Sequence, residues 1–254
     1  FLQPKYFRIG PVILIDESWT IPSEVASYLQ KEMVLRVDWT KGYEEHTVPV
    51  IAAILGQNCK DLIIEDDGAG NGTLGLLTLQ QGAKRVVCIE KYIGEIKAAE
   101  KAFTAVVGRR GVKRLRKSEW QSYAAKPEDK VILIHDDLLN WFRADLKTRK
   151  RVAGGNIALR IAHVGPVYRK LHPLLIKDVL ADPFRPRVIL GGHVDTGEEN
   201  NLLSPKPDED IFARNNWVVT RAEHAVGNRD FVALVAVPPA QSLNAAGDTI
   251  RDSL

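Results

Sequence analysis

The sequence predicts an α/β fold, a mostly parallel sheet with helices between its strands, closed by an antiparallel pair of strands. Three observations carry this. From residue 61, short apolar runs alternate with amphipathic stretches (DLIIED, TLGLLTLQQG, RVVCIE, EIKAAEKAFTAVV), the β-α-β alternation that makes neighbouring strands parallel. The chain closes on two strand-like runs, NNWVVTRAEHAV and DFVALVAV, joined by a turn at Gly227, which is hairpin spacing. Between the first run and its helix lies a glycine-rich turn, GAGNG, at residues 68–72.

The elements follow in order. Residues 1–40 alternate short apolar runs with Pro, Gly and Asp, and predict a short β-rich extension with one short helix. HTVPVIAAILGQ predicts a helix ending near Gly56. KVILIHDD is a strand, VGPVYRKLHPLLIKDVL a long helix and RPRVILGG a strand, followed by a loop through VILGGHVDTGEE. The main domain therefore covers 41–240, and PPAQSLNAAGDTIRDSL leaves 241–254 as a flexible tail.

Composition sets the class. A chain of 254 residues, 45% hydrophobic and 26% charged, has material for one sizeable core. No apolar run approaches the roughly 18 residues that cross a bilayer, so no membrane association is expected. Cys59 and Cys88 lack the spacing of a zinc or redox pair, which suits a reducing compartment. The N-terminus FLQPKYFRIG has no signal pattern and no initiator Met. A cytoplasmic location is expected, with the mitochondrial matrix open.

Net charge is only +3, but the basic residues are clumped. Arg109, Arg110, Lys113, Arg114, Arg116 and Lys117 fall within nine positions, and LKTRKR adds Lys147, Arg149, Lys150 and Arg151. Such blocks form an electrostatic footprint for RNA or a ribosomal particle, or else a solvated, helix-favouring face. Both readings stand at this point.

The glycine turn follows three carboxylates, Glu65, Asp66 and Asp67, and fits two registers. Gly70, Gly72 and Gly75 spell G-x-G-x-x-G with Glu90 placed 20 residues after Gly70, as a dinucleotide site requires. Asp66, Gly68, Gly70 and Gly72 spell D-x-G-x-G-x-G. A dinucleotide sets a dianionic pyrophosphate on the helix N-terminus, where neighbouring carboxylates repel it. S-adenosylmethionine has no phosphate and carries a sulfonium and an ammonium, so the acids favour it. A carboxylate ending the first strand binds the ammonium, the loop Gly68, Ala69, Gly70, Asn71 and Gly72 admits the methionine part, and Glu90, beside Lys91, takes the ribose hydroxyls. The dinucleotide and a purely structural turn remain alternatives.

VILIHDDLLNWF ends a strand in His135, Asp136 and Asp137. An acid there accepts from an adenine amino group, and Leu138 covers the ring. Adjacent strand positions point to opposite faces, so these residues make no metal site. GGHVDTG, with His193 and Asp195, looks like a metal motif but lacks further ligands downstream.

The motif set resembles the class I S-adenosylmethionine-dependent methyltransferases over residues 61–237, and within them the PrmA type, which methylates amines of a ribosomal protein. RIGPVILIDESW, LRVDWTKGYEEHT, GAKRVVCIEK, DDLL, GGNIAL, VILGGHVDTGEE and RDFVALVAV stand in the family's order. The resemblance implies a Rossmann-like methyltransferase sheet, with the cofactor held by Asp66, Gly68, Gly70, Gly72, Glu90 and Asp137. It places His46 and Thr47 at its border and Asn156 as the catalytic residue near the transferred methyl. It implies a protein amine of the translation apparatus as acceptor. Tyr43, Glu44 and Glu45 replace the family's glycine-containing lead-in segment, and the family's N-terminal recruiting domain is not seen in 1–40. Two alternatives stand beside this. One is an RNA methyltransferase, because GNIAL loosely resembles the Asn-Leu-Pro-Tyr motif of rRNA adenine dimethyltransferases. The other is a non-catalytic ribosome-assembly scaffold.

Overall fold

The computed structural model describes residues 6–9, 12–15, 44–163, 172–194, 205–226 and 229–239. Its strands are β1 (Tyr6–Ile9), β2 (Val12–Ile15), β3 (Ile63–Asp67), β4 (Arg85–Glu90), β5 (Val112–Arg116), β6 (Val131–His135), β7 (Leu159–His163), β8 (Arg187–Val194), β9 (Val218–Val226) and β10 (Arg229–Val237). They form one sheet in the order β1-β2-β9-β10-β8-β7-β3-β4-β6-β5. Strands β3 to β8 run parallel. β10 inserts antiparallel between β8 and β9.

The predicted class is observed. The hairpin β1–β2 continues the main sheet, with β2 lying parallel to β9. Segments 16–43 and 240–254 lie outside the described residues.

Seven helices are described, three of them on one face of the sheet and four on the other. α1 (Glu44–Leu55), α2 (Thr73–Gln80) and α3 (Ile93–Val107) share a core with Ile64, Val86, Cys88 and Leu133. α4 (Leu138–Arg143) and α5 (Leu146–Ala153) pack on Ile63, Val87 and Ile132. α6 (His172–Ala181) and α7 (Pro205–Arg214) pack on Val188, Leu190 and Leu234. Alternate residues of each strand thus enter different cores. All five residues of β3 are buried, as a central parallel strand covered on both faces requires.

Of the two basic blocks, one departs from the helix-favouring reading and one fits it. GRRGVKRLRK, open in the sequence as a helix-favouring face, holds strand β5 at the sheet edge. Its one fully buried side chain, Leu115, enters the core of α4 and α5, and the charges take the solvent positions. LKTRKR is the helix α5, capped by the Asp145 side chain on Thr148 N–H. Beneath this edge Trp120 and Trp141 meet edge-to-face with centroids 5.3 Å apart, a pairing that adds about 0.5–1.5 kcal/mol to the burial of the rings.

Candidate cofactor and active site

The parallel strands end along one edge of the sheet, and β3 runs there into the glycine turn. Gly68 and Ala69 N–H both donate to Ile89 O, at 3.0 and 3.1 Å, which ties the turn to β4. Two of its glycines do different work. Gly72, at φ 83°, begins α2, and an added Cβ would lie 2.6 Å from the Phe103 ring. Gly70, at φ 53°, has nothing within 4 Å of that position. Gly72 is a packing glycine. Gly70 opens bare backbone to whatever occupies the edge. Asn71 faces inward, and its Oδ1 accepts from the Thr73 hydroxyl at 2.7 Å.

Glu90 ends β4 beside this turn. Its Oε2 accepts from Gly70 N–H at 3.0 Å and its Oε1 from Tyr92 N–H at 2.8 Å. One carboxylate therefore joins the glycine turn to the end of the second strand. Each oxygen keeps a second lone pair for a hydroxyl.

The three acids before the turn do not act together. Asp66 lies on the α2 face, is 1% exposed, and accepts from Gly75 N–H at 3.1 Å. Burial pushes its carboxyl up to about 7, the Gly75 bond opposes this, and Glu90's charge adds to it. Expected as the ammonium ligand, Asp66 instead secures the first turn of α2.

Glu65 and Asp67 point to the other face. There Arg160 of β7 stands 2.7 Å from Glu65 Oε1, 3.0 Å from Asp67 Oδ2 and 2.6 Å from Asp178 Oδ2 of α6. Asp178 also takes both terminal nitrogens of Arg149. Burial alone lowers the Arg160 pKa, but Asp67, Glu65 and Asp178 raise it on balance. Asp67 is pushed well up by burial, against the pull of Arg160 and with Glu65 adding repulsion. Three carboxylates thus face two guanidiniums, one acid more than the cations present. Two of the three acids before the turn are thus engaged by Arg160 on one face, which leaves Asp66 alone on the other.

At the end of β6, Asp136 is engaged by the fold. Its Oδ2 accepts from the Trp120 indole at 2.8 Å, and its Oδ1 from Asp137 N–H at 2.7 Å and Asn140 at 2.8 Å. Buried, with both oxygens hydrogen-bonded, it supports the strand end. Asp137 is half-buried and caps α4 through Leu139 N–H with one oxygen, at 2.9 Å. Leu138 is buried in the core of α4 and α5. Lys91 sets its Nζ 4.8 Å above the Tyr92 ring. Tyr92 and Ile93, 57% and 45% exposed beside Glu90, went unread in the sequence. The signal was available, since large apolar residues directly after a site acid are suited to cover a flat ring.

The expectation for Asn156 fails on register. Leu159 pairs with Ile64 and Ala162 with Asp67, so Asn156 precedes β7 at the opposite end of the sheet from the glycine turn, where it is exposed. His163 ends β7 at the edge where Asn156 was expected.

α1 runs against β8. Gln57 and Asn58 bond Arg187 at the start of that strand, and Val50 lies over Gly191 midway along it. The first turn of α1, with Glu44, Glu45, His46 and Thr47, therefore lies toward the glycine-turn edge. The side chains of that turn, like those of His193 and Asp195, lie outside the described residues. Among the described residues no group of three metal-binding side chains gathers, and no helix is long and apolar enough to cross a membrane.

A doubly wound dinucleotide fold has strand order 3-2-1-4-5-6; here an antiparallel strand inserts before the last. Solved structures of similar fold include several methyltransferases. The magnesium protoporphyrin IX methyltransferase of Synechocystis, solved with S-adenosylmethionine bound, aligns with TM-score 0.51 at 14% identity, over 85% of this chain and 92% of that one. The fold is a Rossmann-like methyltransferase sheet. A candidate RNA methyltransferase from Pyrococcus horikoshii aligns with TM-score 0.50 at 14% identity, over 87% of this chain and all of that one. The ribosomal protein L11 methylase of Lactobacillus delbrueckii aligns with TM-score 0.40 at 15% identity, over 91% and 98% of the two chains, too loosely to favour its subfamily. No protein-family model and no curated protein sequence matches the chain.

Proposed function

We propose that this protein is an S-adenosylmethionine-dependent N-methyltransferase whose acceptor is an amine on a protein of the translation apparatus, in the manner of the PrmA type. The observation that carries the cofactor is the Glu90 carboxylate, bonded to Gly70 at the end of the second parallel strand. Its free lone pairs suit the two ribose hydroxyls, and the bare backbone at Gly70 suits a ligand lying close above it. Tyr92 and Ile93 offer a cover for the adenine, and Asp137 keeps one carboxylate oxygen for its amino group. When bound, the cofactor supplies an electrophilic methyl group on a sulfonium.

The chain's own contribution is to hold the acceptor in line and keep its amine neutral. The acceptor class rests on the sequence at the start of α1, where Glu44 and Glu45 open a helix whose first turn lies toward the same edge. Two carboxylates there attract a lysine ammonium, repel an RNA phosphate, and offer an outlet for the proton that the amine sheds.

Calorimetry with S-adenosylmethionine and with NAD tests the cofactor, and tritiated-methyl transfer into lysate with and without RNase tests the acceptor. Label is expected in protein and not in RNA. Glu44→Gln with Glu45→Gln should slow transfer about two- to fivefold, the worth of partly solvated charges, with cofactor affinity unchanged. Label in RNA alone refutes the amine. Tight cofactor binding with no label in any fraction favours the scaffold.

A further inference from the structure

The two basic blocks, apart in sequence, meet on one face of the fold. β5 is the outermost strand on its side of the sheet, so Arg109, Arg110, Lys113, Arg116 and Lys117 follow an edge that carries no further strand among the described residues. Beyond it the chain turns back against α5. Arg151 donates to the carbonyls of Gln121 and Tyr123, and Ala125 N–H donates to Arg151 O at 3.1 Å. This seam brings Arg143 and Thr148 together with Lys117 and Gln121 around an open cleft of about 420 Å³.

The charge is concentrated there. Segments 109–123 and 143–151 hold eleven of the chain's 35 Lys and Arg and two of its 32 Asp and Glu. They carry +9, and the rest of the chain −6, which gives the net +3. Some of these cations are engaged. Arg114 pairs with Glu100, Arg149 with Asp178, and Lys150 lies over the Phe184 ring. Arg109, Arg110, Arg116, Lys117, Arg143 and Lys147 are all exposed and have no acidic partner among the described residues.

The acids lining the cleft are held by the fold. Asp136 is bonded as described above, and Asp145 accepts from both the N–H and the hydroxyl of Thr148. Unpaired like charges gathered on one surface repel one another. An anionic partner relieves that repulsion.

The pattern distinguishes between anionic partners. Acidic peptides commonly anchor through apolar side chains, yet neither segment contributes one of the exposed large hydrophobic residues. A line of cations, about 16 Å along β5 alone at roughly 3.3 Å per residue, matches a regularly charged backbone. We propose that this seam docks the phosphodiester backbone of a single-stranded nucleic acid, which runs along β5 and ends in the cleft at Lys117 and Arg143. The cleft lies on the same sheet edge as Glu90, at its outer end. An acceptor protein carried on RNA would thereby be held beside the site.

The test uses the full chain and a fluorescent single-stranded RNA of about 20 nucleotides, which exceeds the usual site sizes of such grooves. Wild-type affinity should fall with salt at a log–log slope of about −3, as expected for roughly four neutralised phosphates on a single strand. Arg116→Gln, Lys117→Gln, Arg143→Gln and Lys147→Gln together should bring that slope near zero and weaken binding more than tenfold at low salt. S-adenosylmethionine affinity should stay unchanged. Lys97→Gln with Lys101→Gln, exposed cations on α3, should leave RNA binding intact.

Salt-independent or absent wild-type binding overturns the proposal. So does an equal loss in the α3 variant, or competition by polyglutamate as strong as by RNA of equal charge. The wild-type slope and the competition need no variant, so a quadruple variant that failed to fold would leave the test intact.

Discussion

Arg160→Leu should lower the stability of the fold by about 3–5 kcal/mol, the usual cost of leaving a buried charge without its partner. Arg160 is 2% exposed and stands between Glu65 and Asp67, themselves 0% and 3% exposed. Neither Glu65 oxygen receives a hydrogen bond, nor does Asp67 Oδ1, so nothing local replaces the guanidinium. Urea denaturation measures the loss. Glu65→Gln and Asp67→Asn added to Arg160→Leu should recover much of it, because no uncompensated charge is then left inside. A loss below about 1 kcal/mol, the level of an exposed pair, would show that water reaches the cluster.

Glu90→Ala should weaken S-adenosylmethionine binding about ten- to hundredfold, since a hydrogen bond to a charged group contributes about 1.5–3 kcal/mol. The same substitution frees Gly70 N–H and Tyr92 N–H, which loosens the glycine turn as well. Glu90→Gln keeps one acceptor but turns an NH₂ toward one of those donors, and an intermediate loss is expected. Calorimetric titration with circular dichroism as the folding control reads both variants. Unchanged affinity in a folded Glu90→Ala protein would remove Glu90 from the site, and wild-type preference for NAD would remove the cofactor choice.

The sequence showed the central strands clearly, because β4, β6 and β8 are built on the apolar runs VVCI, VILI and VIL, whose burial on both faces leaves no competing pattern. β5 was hidden by its place at the edge. Only Leu115 is fully buried, and six charges around two apolar residues look like a solvated face. The caps of α4 and α5 were available in Asp137 and Asp145, each just before a helix. The Arg160 cluster was not legible, since Leu-Arg-Ile-Ala-His is an ordinary alternating strand until its acidic neighbours are known. Asn156 went astray through a motif likeness that ignored which end of the strand it precedes. The site acids misled for a related reason. Three consecutive carboxylates look like one patch, but a strand sends the outer two to one face and the middle one to the other.

Asp66 has a consequence for the thermodynamics of the whole chain. Its carboxyl titrates near pH 7 when folded and near its ordinary value of 3.8 when unfolded. Between those values the folded chain keeps a proton that the unfolded chain releases, so folding is a proton-uptake reaction. The sign follows: this contribution is most favourable below about pH 4, declines by about 1.4 kcal/mol per pH unit across the window, and levels off above about pH 7. Asp67, shifted the same way, adds to the uptake. Near pH 5.5, unfolding enthalpies measured in two buffers of different ionisation heat should therefore differ by roughly that heat for each proton released, and Asp66→Asn should shrink the difference.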